Sequence, residues 1–115
     1  MYHGYWDCIH DVKGCLPEAR KGCTINLVNN DLFVFGGFSR DTYNDIKVFD
    51  TVTSKWREVE TSAMRVIPDH RVSHTMITYH NSLILFGGGG AYMANLHMMP
   101  SYNDIWKFET DLMVW

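Results

Sequence analysis

Two stretches of this chain repeat one another, and that repetition limits the fold more than any other feature. Arg20–Phe38 aligns with Arg71–Gly89 at an offset of 51, matching Thr24 with Thr75, Asn30 with Asn81, Leu32 with Leu83 and Phe35 with Phe86. The pairs Gly36-Gly37 and Gly87-Gly88 coincide as well. Tyr43–Trp56 aligns with Tyr102–Trp115 at an offset of 59, so the second copy carries eight additional residues, all within Gly89–Ser101. A repeat that changes length only between its matching segments is a structural unit with one variable loop. A third, partial copy stands at the front: Trp6 precedes Arg20 by fourteen residues and Trp56 precedes Arg71 by fifteen, with Pro17 and Pro68 each three residues before the Arg.

Each unit reads as four short strands. Cys23–Val28 and His74–Tyr79 are β-rich runs that end at the turn signals Asn29-Asn30-Asp31 and His80-Asn81-Ser82. Leu32–Phe35 and Leu83–Phe86 are near-continuous apolar runs of strand length, expected to be buried on both faces. Ile46–Phe49 and Ile105–Phe108 form the third strands, Trp56–Val59 the fourth, and Trp6–Ile9 a fourth strand left from a preceding unit. No segment shows sustained helical periodicity with caps. The expected fold is all-β.

Composition agrees. Hydrophobic residues make up 46% of 115 and charged ones 20%, enough for the packed core of one small domain. The aromatic share of 14% suits strands. A net charge of −3 disfavours a nucleic-acid or anionic-membrane partner, and no apolar run reaches the length of a membrane span. The N-terminus shows no basic and apolar signal-peptide pattern. Three cysteines and the absence of an Asn-x-Ser/Thr sequon suggest a reducing, cytoplasmic setting.

LFVFGG (Leu32–Gly37) and LILFGG (Leu83–Gly88) resemble the double-glycine end of the second strand in kelch repeats. YNDIKVFDTVTSKW (Tyr43–Trp56) and YNDIWKFETDLMVW (Tyr102–Trp115) resemble its third strand and following Trp, and Arg71–His74 its Arg-x-x-His opening. The resemblance runs through almost the whole chain from Trp6. It departs at Cys23, which stands where His74 stands in the second unit, and at Glu109, which stands where Asp50 stands. It implies a portion of a kelch β-propeller, about two four-stranded antiparallel blades in an incomplete ring. Residues 1–18 would be the fourth strand and loop of a preceding blade, 19–66 the first repeat, and 67–115 the second, ending where its fourth strand begins. The residues carrying the motif are Arg20, Gly36, Gly37, Tyr43, Asp45 and Trp56, and then Arg71, His74, Gly87, Gly88, Tyr102, Asp104 and Trp115. Two blades leave strand edges open, so the chain reads as part of a longer protein, marginal or self-associating when alone.

The candidate chemistry is weighed against structural roles. Gly87–Gly90 runs into Ala91 and Tyr92 rather than the Lys-Ser/Thr of a phosphate loop, so the paired glycines serve backbone geometry. Cys8, His10 and Cys15, with His3 or Cys23 nearby, lack the paired short spacings of structural zinc. His70 and His74 fall four apart, and a hydrogen-bonded structural His74 is the favoured reading. Ser73, His74 and Asp69 are near in sequence only, which establishes no triad. Asp41, Asp45 and Asp50 read as solvated or capping groups. Trp56 and Trp115 read as core or inter-blade wedges.

Strand alternation brings four loops to one end: Asp11–Ala19, Phe38–Thr42, Glu60–His70 and Gly89–Ser101. Kelch adaptors bind partner peptides largely at that end, so the resemblance points there. The insertion supplies Tyr92, Met93, Leu96, Met98 and Met99, and the Glu60–His70 loop supplies Arg65 and Asp69, with Arg71 beside it, for charged contacts. The expected function is a non-catalytic protein–protein interaction module without a cofactor, the partner- or substrate-recognition part of a larger adaptor or scaffold protein. The runner-up is a fragment of a kelch-propeller metalloenzyme or sugar-processing enzyme.

Overall fold

The alternation of apolar residues builds two sheets packed face to face, antiparallel throughout except for the short parallel pair of β1 and β5. A computed structural model describes residues 4–115. The first sheet contains β1 (Lys13–Gly14), β2 (Thr24–Val28), β3 (Asp31–Phe35), β4 (Ile46–Asp50) and β5 (Lys55–Glu58), in the order β1-β5-β4-β3-β2. The second contains β6 (Thr75–Tyr79), β7 (Ser82–Phe86) and β8 (Ile105–Glu109) in sequence order. These are two blades of a partial propeller, all-β and without a closed ring.

The turns follow the same chemistry in both blades. Asn29 and His80 take φ of 54° and 53° in the β2–β3 and β6–β7 hairpins. After β4, the Asp50 carboxylate accepts from the backbone N–H groups of Val52 (2.8 Å) and Thr53 (3.2 Å), so Asp50 is the capping group its position suggests. Ser54 closes that turn at φ 56°, and Met113 does the same after β8 at φ 54°.

Val28, Phe33, Phe35, Ile46 and Val48 on one face of blade one meet Met76, Leu83, Leu85 and Phe108 of blade two. Every one of these is at most 6% exposed, and together they form the core. Both faces of β3 are covered, as expected; β7 differs, because Phe86 on its far side is 51% exposed. Among the described residues, no blade packs against that face.

Two features of the N-terminal segment correct the sequence expectation. Trp6–Ile9 is irregular and exposed rather than a strand, since a fourth strand needs a third-strand neighbour that no described residue supplies. The segment instead forms β1 farther on, pairing parallel with β5 through Lys13↔Lys55 and Gly14↔Trp56. Blade two has three strands, and the Glu109↔Val114 bridge is the first rung of a fourth.

Candidate functional site

The loops gathered at one end of the blades are held by a latch built twice from the repeat. In blade two, the Arg71 guanidinium donates to both Asp104 carboxylate oxygens at 2.7 and 2.8 Å and to the Gly87 carbonyl at 2.9 Å. The ring of Tyr102 covers it at 4.3 Å. In blade one, Arg20 donates to Asp45 at 2.6 and 3.1 Å and to the Gly36 carbonyl at 3.1 Å, with the Tyr43 ring at 4.0 Å. Planar guanidinium and carboxylate groups pair in two places at once, so each latch fixes orientation as well as distance. Arg71 holds the Asp104 carboxyl well below its ordinary range, down to about 2; burial opposes this, and the Trp106 indole N–H adds to it. Burial and the neighbouring Asp69 push the Tyr102 phenol upward.

Asp45 is therefore a latch partner, not a solvated or capping group. Arg71 is fully buried and committed to Asp104, so it cannot supply the charged partner contact expected of it. The spacing held the signal. Arg and Asp stand 25 residues apart in blade one and 33 in blade two, and the difference is the eight-residue insertion.

The same residues dock one blade on the other. The Arg71 N–H donates to the Tyr43 carbonyl at 3.0 Å, and the Gly37 N–H donates to the Arg71 carbonyl at 2.9 Å. Gly36, at φ 68°, has the Arg71 carbonyl and the His74 ring each 2.8 Å from where a Cβ would stand. Below this contact His74 Nε2 shares a 2.9 Å hydrogen bond with the Thr24 hydroxyl, while the His74 ring meets Phe35 edge-on at 5.1 Å. Burial, and secondarily Arg71, lower the His74 pKa to about 4, so the ring is neutral at ordinary pH. Trp115 wedges between the blades, 5.2 Å from both Phe35 and Phe108, whereas Trp56 packs within its own blade on Phe49 at 5.0 Å.

On this frame sit two neighbouring hollows. One, about 700 Å³, lies between the blades and is lined by Asp41, Tyr43, Asp69, Met93 and Tyr102 among others. The second, about 420 Å³, is bounded by Phe38 and Arg40 of the β3–β4 loop and by Tyr92 and Met99 of the insertion. Gly89 bridges to Ser101, the Gly90 N–H donates to the Pro100 carbonyl at 2.9 Å, and Met93 bridges to Met98. The insertion is thus a pinned hairpin-like loop with Leu96 near its tip. Tyr92, Met93, Leu96, Met98 and Met99 are 40–59% exposed.

The structure divides the expected charged contacts. Asp69 joins Met93 and Tyr102 in the inter-blade hollow. Arg65 lies elsewhere, in a separate hollow of about 740 Å³ with Met64, Trp106, Val114 and Trp115. The Glu60–His70 loop is long enough to run from the outer strand to the latch, so its two parts face different surroundings. Among the described residues, no three His, Cys, Asp or Glu side chains converge to metal-binding spacing. Cys15 instead accepts a 3.2 Å hydrogen bond from Lys47.

The family model described as the KLHDC2/KLHL20/DRC7 Kelch-repeats domain matches residues 3–115. Kelch domain-containing protein 3 of Rattus norvegicus is 32% identical over 113 residues, covering 90% of this chain and 28% of that protein. The Homo sapiens protein of the same name is 30% identical over the same coverage. Acyl-CoA-binding domain-containing protein 4 of Arabidopsis thaliana is 28% identical over 96 residues, 79% of this chain and 14% of that protein. The chain therefore spans 28% or less of the length of these relatives. With the doubled latch, the paired glycines and the Trp wedge in place, the match along nearly its whole length makes this chain a member of the kelch-repeat family.

Proposed function

We propose that this chain is the recognition part of a larger adaptor or scaffold protein and that the latch end of blade two holds its protein or peptide partner. The observation that carries this reading is the insertion. Five large apolar side chains stand exposed on a loop whose stem is hydrogen-bonded to a rigid sheet. Methionine-rich surfaces adapt to varied partners, and aromatic anchors supply contact area at little conformational cost. Tyr92 and Met99 border one hollow and Met93 the other, so a bound segment would lie across both. Asp69 contributes a charged rim, while Arg65 serves a different surface. The site is read as non-catalytic because its strongest polar groups, Arg71 and Asp104, neutralise one another. The three free cysteines favour a cytoplasmic setting.

The test replaces Tyr92, Met98 and Met99 together with Ser in the parent protein and measures capture of its partner and the thermal melt. Binding should weaken by about 2–4 kcal/mol in total, with the melt nearly unchanged. A collapsed melt would make these residues inter-blade core. Unchanged binding would place the partner on another blade.

A further inference from the structure

The exposed thioethers of the described residues are gathered on one loop. Met76 is 6% exposed in the core, and Met113 is half-buried against it. Met64 is half-buried beside Trp115. Met93, Met98 and Met99 of the insertion are 40%, 50% and 54% exposed. An oxidant in solution therefore meets the sulfurs of the insertion first.

The stem of the loop sets how the three are arranged. The Met93 N–H donates to the Met98 carbonyl at 2.7 Å, and the Met98 N–H returns a 3.3 Å bond to the Met93 carbonyl. Residues that exchange both bonds are directly opposed, with their side chains on one face. Met99, next along the chain, falls on the other face. Met93 accordingly borders the inter-blade hollow with Asp41 and Tyr43, and Met99 borders the second hollow with Phe38 and Arg40. Each hollow takes one wall from blade one and one from the insertion, so both walls belong to this chain.

We propose that Met93, Met98 and Met99 form a reversible oxidation site, and that their conversion to sulfoxides by hydrogen peroxide closes the insertion to its partner. This rests on the reading of the insertion as the partner site. Each sulfur gives an electron pair to a peroxide oxygen, the O–O bond breaks, and a sulfoxide and a water form. The sulfur is oxidised and the peroxide reduced. A flexible apolar side chain thereby becomes a polar one, which disrupts methionine-rich contact surfaces. The new S–O dipole holds water, and an apolar partner surface offers it no donor, so docking over it buries an unpaired polar group. Methionine sulfoxide reductases reverse the change, with one enzyme for each sulfoxide epimer.

The test uses the full-length parent protein and hydrogen peroxide. Its binding probe is a peptide kept from a random library for binding the reduced protein and not the variant with Tyr92→Ser, Met98→Ser and Met99→Ser together. After brief peroxide treatment, peptide mapping should place an added oxygen on Met93, Met98 and Met99 before Met64, Met76 and Met113. Probe affinity should then fall by about tenfold or more and return once both reductases are added. Met93→Leu, Met98→Leu and Met99→Leu together should remove the response to peroxide, whatever affinity that variant starts from. Oxidation that reaches Met76 as early as the insertion overturns the proposal. So does probe affinity that withstands full conversion of the three, or a loss that the reductases leave in place, which would belong to the thiols. These results leave the insertion standing as a binding surface. A library that yields no such peptide overturns the binding surface itself, and the proposal with it.

Discussion

Arg71 reaches Asp104 with both Nη groups, at 2.7 and 2.8 Å, from a position with no solvent exposure, while its backbone is bonded to blade one on both sides. The latch therefore links the start of blade two to its own third strand and to its neighbour. Arg71→Met should destabilise the chain more than Arg20→Met, because the Arg71 guanidinium is fully buried and its loss leaves the buried Gly87 carbonyl without its 2.9 Å donor, whereas the Arg20 bond to the Gly36 carbonyl is longer, at 3.1 Å, and only partly buried. The Asp104 carboxylate left behind is 37% exposed and partly screened by water, so the loss should fall below the about 3–5 kcal/mol that breaking a fully buried pair costs. Denaturant titration of the two variants gives the comparison.

Acid should weaken the fold in two steps with different owners. The folded His74 pKa is about 4 against an ordinary 6.5, so the unfolded chain binds the proton more readily. Its contribution is complete above pH 6.5 and is lost as pH falls toward 4. Asp104, lowered from 3.8 to about 2, contributes above pH 3.8 and loses that contribution as pH falls through 2. Thermal melts between pH 7 and 4 should flatten in His74→Gln and keep their slope in Asp104→Asn.

The paired glycines should differ in their tolerance of Ala. At Gly88, φ is 91° and an added Cβ would stand 2.8 Å from the Val72 carbonyl and 2.9 Å from the His74 Cα. Gly87 has φ 72°, but its added Cβ meets only the Tyr102 carbonyl, at 3.4 Å. Gly87→Ala should cost about 1–2 kcal/mol from backbone conformation alone, and Gly88→Ala more. Equilibrium unfolding of both variants checks the order.

Trp115→Ala should cost about 3–5 kcal/mol, as expected for removal of a large packed aromatic side chain. Trp115→Phe should cost less, since it keeps a ring beside Phe35 and Phe108 and removes a buried indole N–H that has no hydrogen-bond partner. Paired urea titrations measure both.

The repeat made the strands legible because period-two alternation and turn residues are local properties. Seven of the eight strands follow from it, with ends shifted by a residue, as at Thr24 and Asp50. β1 was not legible: two residues, one of them Gly14, pair through backbone alone and leave no side-chain pattern. Trp6–Ile9 carries a strand-like sequence but lacks a neighbour, and pairing is not a property of one segment. The latch was half legible. Its Arg and Asp recur at matched positions, yet only the fold shows that Asp45 and Asp104 face inward toward a guanidinium. The separation of Arg65 from Asp69 was hidden because sequence order places both on one loop, while the loop crosses from the outer strand to the inner one.

The closed stem of the insertion has a consequence for how blade two can change. From Gly90 and Pro100 inward, the sheet meets the same two backbone anchors whatever lies between them. Loop-closure cost rises by only about 0.6 kcal/mol for each doubling of length. Blade two is thus a natural grafting point: foreign segments of different length and chemistry can be spliced between these anchors, and the strands beneath need not be redesigned to carry them.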